Sequence, residues 1–190
     1  MAARLTRVVS SRLPVRPFRR AALVVAVAAV LALPSLAAAY EDQLTGGLEV
    51  GYAHLSGDSL EGPGLFGGVD LRLGLTDAWN LWGGLGYSLH PPHADLDAIH
   101  AGTAAAGVEW VFDVVQIVPY ATVGLEALVT ASGGTVDPAI GAQVGLGANY
   151  LLSRAVALGI IVRYHAPLSR IAELPVYLTA GLGLSLTLAD

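Results

Sequence analysis

The chain has 190 residues, of which 54% are hydrophobic and only 13% charged, and its mean hydropathy is +0.61. Soluble domains carry about a quarter charged residues, whereas a helical membrane protein needs several apolar runs of about 20 residues; this chain has one such run. Its basic residues are all arginine, and it has no cysteine, which excludes a disulfide framework, a cysteine metal site and a lipid-modified cysteine.

The single apolar run, "AALVVAVAAVLALPSLAAA", covers residues 21–39. Six arginines precede it (Arg4, Arg7, Arg12, Arg16, Arg19 and Arg20), and no acid does. A basic head, an apolar core and the closing Ala37-Ala38-Ala39 predict a secretory signal peptide over 1–39, cleaved after Ala39. Residues 40–190 keep four arginines against fifteen acids, a net charge of −11 with histidine neutral. That balance leaves no basic face for a nucleic acid.

From residue 40 onward the pattern has period two, broken by clusters of Gly, Pro, Asp and Ser, and it predicts strands rather than helices. Eight strands are expected, at 43–55, 64–76, 79–90, 100–112, 117–130, 139–152, 155–166 and 175–188. One face of each is large and apolar: Leu48, Val50 and Tyr52 in the first, Trp79, Leu81, Leu85, Tyr87 and Leu89 in the third, Val156, Leu158, Ile160, Val162 and Tyr164 in the seventh. The other face is small, rich in Gly and Ala, and sparsely charged. It holds Glu49, Asp70, Arg72, Asn80, Ser88, Glu109, Glu126, Gln143, Asn149, Arg163, His165, Thr179 and Ser185.

The connections alternate in length. Short ones are expected at 76–78, 113–116 and 153–154, and longer ones near 56–63, 91–99, 131–138 and 167–174. Aromatics of the apolar face gather at two levels, Trp79, Trp110, Phe112 and Tyr150 near the short turns and Tyr52, Tyr87 and Tyr164 near the long loops. Strands of about ten residues, alternating turn lengths and two aromatic girdles are the pattern of a transmembrane β-barrel. By the same parity Phe66, Trp82, Tyr120 and Tyr177 fall on the inner face.

The segments "GLTDAWNLWGGLGYSL", "VPYATVGLEALV" and "GLGANYLLSRAVALGIIVRYH" resemble the strand–turn–strand units of small OmpA/OmpX-like and opacity-type outer-membrane barrels. The resemblance covers 40–190 and implies an all-β, up-and-down, eight-stranded antiparallel barrel in a bacterial outer membrane. Its implied partners are outer-membrane lipid, lipopolysaccharide and the barrel-assembly machinery, and the implied state is a monomer. The chain departs from the family at its end, "LSLTLAD", where an aromatic residue is usual.

An eight-stranded barrel is just wide enough for side chains to fill, so the lumen is expected to be plugged. Buried charges must pair. Arg72 and Arg163 therefore predict a lumenal ion-pair network with Glu49, Asp70, Glu109 and Glu126. Arg72 and Glu109 are expected near the short turns, Glu49 and Asp70 at mid-height, and Glu126 and Arg163 nearer the loops.

Two further clusters invite chemical readings. His54 and Ser56, with Asp58 beyond, share one strand face, an arrangement that resembles the catalytic pair of lipid A deacylase barrels; a serine nucleophile needs such a base. His90, His93 and His100, with Asp95 and Asp97, supply metal-ligand chemistry around the second long loop. Both groups lack the surrounding residues or spacing of a site, so no catalytic residue, cofactor or metal is expected. The expected role is non-enzymatic, an envelope or surface-interaction protein acting through its loops. A lipid-modifying enzyme and a narrow ion channel are the alternatives.

Overall fold

The structure, a computed structural model, describes residues 41–56, 62–92, 97–112, 116–170 and 176–189. The expected signal peptide at 1–39 lies outside these residues, as do Asp58, His93 and Asp95. Where large apolar residues alternate with small ones the chain forms β1 (Leu44–Ser56), β2 (Gly62–Gly74), β3 (Trp79–His90), β4 (Ile99–Val111), β5 (Ile117–Ser132), β6 (Thr135–Leu151), β7 (Val156–Pro167) and β8 (Val176–Ala189). Each strand pairs antiparallel with the next, and β8 pairs with β1, so the sheet closes into a barrel. Closure pairs each strand on both sides within the barrel wall and removes there the edges at which sheets aggregate.

Serine and threonine set two of the turns. Thr76 Oγ accepts from the N–H groups of Ala78 and Trp79, and Ser153 Oγ accepts from those of Ala155 and Val156. These side-chain bonds replace the ladder bonds lost where the chain reverses. This side of the barrel is its turn end; the other is its loop end.

The expected long connection at 131–138 is corrected. β5 and β6 continue pairing as far as Ser132 and Thr135, and only Gly133-Gly134 joins them. Both glycines have positive φ, 56° and 82°. Two such residues build the primed two-residue turn whose twist matches that of the strands it joins. The result is a ribbon rather than a loop, and it runs past β7, whose pairing with β6 stops at Gly141–Pro167.

The distribution of polarity is inverted relative to a soluble barrel. Leu65, Val50, Leu125, Ile140, Leu146 and Leu182 are each at least 66% exposed on the outer wall, whereas Glu49, Asp70, Arg72, Glu109, Glu126 and Arg163 are each at most 9% exposed inside. Phe66, Trp82, Tyr120 and Tyr177 also point inward and are buried. A narrow lumen holds these bulky groups because glycine faces them. Asp70 pairs with Gly47, Trp82 with Gly107, Tyr120 with Gly147, Glu126 with Gly141 and Arg163 with Gly145.

The lumen changes character along its length. At the turn end it is an open cavity of about 680 Å³, reaching in to Arg72, Asn80, Glu109 and Tyr120. The middle is filled by charged side chains, with about 30 Å³ of free space among Glu49, Asp70, Trp82 and Arg163. Towards the loop end Ala53, Leu55, Phe66, Ile99, Ala101, Leu128 and Tyr177 pack as an apolar cluster.

Candidate functional site

The polar side chains of the lumen form three groups, each assembled across several strands. Nearest the open cavity, Arg72 on β2 lies 3.2 Å from Asp70 Oδ2 and 3.2 Å from Glu109 Oε2, and donates to Ser185 Oγ at 3.1 Å. Asn80 Nδ2 donates to the other oxygen of Glu109 at 2.7 Å. The Arg72 guanidinium also stands 5.6 Å from the centre of the Tyr120 ring, in cation–π range. β2, β3, β4, β5 and β8 thus converge on one cation.

At mid-height Arg163 on β7 donates from both terminal nitrogens to Glu49 on β1, at 2.5 and 2.6 Å. Bidentate geometry of this kind is the strongest form of the pair, fixing the relative orientation of both groups. It joins β1 to β7 across β8.

The third group contains a residue absent from the expected network. His165 Nδ1 donates to Glu126 Oε2 at 2.6 Å, and its Nε2 lies 3.1 Å from Thr179 Oγ1. Its ring packs against Tyr177, with 4.5 Å between centroids. Beyond it a chain of hydrogen bonds leads outward: Tyr177 Oη donates to Ser88 Oγ, Ser88 bonds His90 Nε2, and His90 Nδ1 donates to the carbonyl of Gly62. Because Nδ1 must carry the proton to reach a carbonyl, Nε2 is the acceptor, and every hydroxyl in the chain is used once.

All six residues expected in the lumen face it. The partnerships, however, follow register more than strand adjacency. Glu126 is held by His165 rather than by an arginine. Among the described residues Asp70 receives charge from Arg72 but no hydrogen bond.

The aromatics of the outer wall lie at two levels. Trp79 opens β3, Trp110 and Tyr150 stand next to last in β4 and β6, and Phe112 follows β4, all at the turn end. Trp79 stacks on Trp110 at 5.9 Å, and Trp110 contacts Phe112 at 4.0 Å. Tyr52, Tyr87 and Tyr164 lie outward within the last few residues of β1, β3 and β7, towards the loop end.

Among the described residues the two clusters with chemical potential are not assembled. His54 stacks on Tyr52 with an interplanar angle of 10°, and its ring nitrogen faces Tyr52 Oη at 3.4 Å; among the described residues its hydrogen-bond partner is Tyr52 and not Ser56. His90 is buried in the lumen, whereas His100 is exposed on the outer wall and bonds Tyr87. The sheet therefore separates two of the three histidines, and among the described residues no group of three metal-ligating side chains forms. Asp97 lies next to Gly133 at the tip of the β5–β6 ribbon.

No family model matches the sequence, and no curated protein resembles it closely enough to count as a relative. Solved structures do. Neisserial surface protein A is 15% identical over 75% of this chain and 96% of its own, with a TM-score of 0.65. The N-terminal barrel domain of OprF from Pseudomonas aeruginosa is 17% identical over 77% and 98%, with a TM-score of 0.54. The attachment invasion locus protein Ail of Yersinia pestis is 12% identical over 77% and 99%, with a TM-score of 0.52. The fold is that of the small outer-membrane β-barrels. In this outer-membrane-type barrel, parity alone separates the large apolar wall from the small lumenal face, while the charged groups and the aromatic plugs depend on three-dimensional register for their partners.

Proposed function

We propose that the chain is an integral outer-membrane barrel with a non-enzymatic role in the cell envelope, presenting its loop end to the outside. The observation that carries this reading is the inverted wall: leucine, valine or isoleucine stands exposed on every strand but β4, which presents Ala104 and Ala106, while Glu49, Asp70, Arg72, Glu109, Glu126 and Arg163 are buried inside. Water would disfavour such a wall by about 25 cal/mol for each Å² of apolar surface, whereas lipid does not. The outer-membrane structures with the same fold support the location. Cell fractionation with a heat-modifiability gel is the test. An outer-membrane band that migrates faster unheated than boiled is expected; a soluble protein without that shift would sink the reading.

An inert lumen belongs to the same proposal. The pairs of Arg72 with Asp70 and Glu109, of Arg163 with Glu49 and of His165 with Glu126 act as structural filling, and the apolar cluster around Tyr177 closes the loop end. Planar-bilayer recordings should show no discrete conductance steps in the parent. Steps that change with Arg163→Ala would favour the channel alternative. Unchanged lipid A mass spectra with and without the protein are expected, and a loss of acyl chains would favour the enzyme alternative.

A further inference from the structure

The outer wall carries the same side-chain device twice. Tyr52 and His54 are two residues apart on β1, with stacked rings and the hydroxyl facing Nδ1 at 3.4 Å. Tyr87 on β3 and His100 on β4 lie diagonally across a strand pair, with the hydroxyl 2.6 Å from Nδ1. In both the tyrosine belongs to the loop-end aromatic level, and the histidine stands nearer the loop end of its strand. A phenol O–H that donates to Nδ1 fixes the ring proton on Nε2. In that tautomer each pair presents one oriented N–H donor just beyond the tyrosine level, where the headgroups of a bilayer begin.

The ligand class is set by the contents of that layer and by the cations this wall lacks. Lipid headgroups there offer phosphoryl oxygens, strong acceptors for an N–H donor. Arginine and lysine are the usual ligands, but the chain has no lysine. Of its arginines after residue 40, Arg72 and Arg163 are in the lumen, Arg154 is in the β6–β7 turn, and Arg170 alone is on the loop side. Tyr164, the third tyrosine at this level, has no such partner among the described residues, because His165 points into the lumen and bonds Glu126.

We propose that His54 and His100, each set by its tyrosine, are anchors for phosphoryl groups of the surrounding lipid. This rests on the outer-membrane reading and adds two points at which the barrel's height and rotation in the leaflet are fixed. An N–H donor set by a phenol suits this end of the chain, where the sequence places Asp58, Glu61, Asp95, Asp97, Asp137 and Glu173 in or beside the long connections against the single Arg170.

The test uses the folded barrel in phosphatidylglycerol bilayers with ring-¹⁵N histidine. Dipolar dephasing by ³¹P is expected at Nε2 of His54 and His100 and not at His90 or His165, which serve as lumenal controls. The double variant His54→Phe/His100→Phe, folded by heat-modifiability, should retain about tenfold less phosphatidylglycerol in detergent than the parent, the loss expected for one or two hydrogen bonds to a charged group. Tyr164→Phe should leave retention unchanged. Absence of dephasing from both rings, or equal lipid retention by the double variant, would overturn the assignment. Equal dephasing by inorganic phosphate in detergent would overturn the lipid as its source. A barrel that folds in bilayers yet shows neither signal defeats only the anchors, whereas a protein recovered in the soluble fraction defeats the membrane reading itself.

Discussion

At the scale of single residues, a glycine is informative through the neighbour it admits. An added methyl at Gly147 would lie 2.6 Å from Tyr120 Oη and 2.7 Å from the carbonyl oxygen of Ile160. The tyrosine is buried and the backbone is fixed by the ladder, so neither can give way. Gly147→Ala should destabilise the barrel by about 1–3 kcal/mol, the range for overpacking a filled site. Gly83 is the contrast: a methyl there meets only the Ala105 carbonyl, at 3.6 Å, an ordinary contact. Gly83→Ala should change stability by less than about 0.5 kcal/mol. Urea unfolding in lipid vesicles checks both, and equal costs would contradict the steric account. Period-two parity already placed both glycines on their faces. It could not tell a required glycine from a permitted one, because that depends on which side chain stands across the sheet.

At the scale of elements, alternation made the strands legible: β3 occupies the expected 79–90, and most other ends differ by one or two residues. The main failure, at 131–138, came from reading Gly133-Gly134 as loop composition rather than as a two-residue turn. Because both φ values are positive, Gly134→Ala should cost about 1 kcal/mol in the same assay. If the cost were negligible, the ribbon would not depend on that turn. Parity put Glu49, Asp70, Arg72, Glu109, Glu126 and Arg163 on the buried inner face but could not give their pairs, and Glu126 pairs with His165 instead of an arginine. Parity gives a face, whereas the pairing of Arg163 with Glu49 across β8 depends on strand stagger around the whole barrel. His165 was visible as an inward polar residue, yet nothing local marked it as the partner of Glu126. Removing one partner of the bidentate pair leaves a buried charge uncompensated, so Arg163→Ala should destabilise by about 3–5 kcal/mol. The double variant Glu49→Gln/Arg163→Met should lose clearly less, because no charge is stranded. Additive losses in a double-mutant cycle would show that the two groups are not coupled.

At the scale of the whole molecule, the lumen is asymmetric: open at the turn end, charged at mid-height and packed with apolar side chains towards the loop end. An apolar plug and a buried ion-pair layer are different barriers. On the inert-lumen reading the first excludes water because its few polar groups, Tyr177, Ser88 and His90, already bond one another, and the second fixes its charges on one another, so that neither offers a solvated path. Since the chain has no native cysteine, single cysteines read this directly. Thr45→Cys and Asn149→Cys place a thiol on the lining of the 680 Å³ cavity. Ala101→Cys places one in the apolar cluster, where Ala101 is fully buried. A water-soluble maleimide should modify the first two on the order of a hundredfold faster than the third, because a buried thiol reacts only when the structure opens locally. In sealed vesicles of one orientation, the two cavity thiols should also be reached from the turn side alone. Labelling of Thr45→Cys from the loop side would mean that the plug conducts, and comparable rates at all three positions would mean that the lumen is solvated throughout.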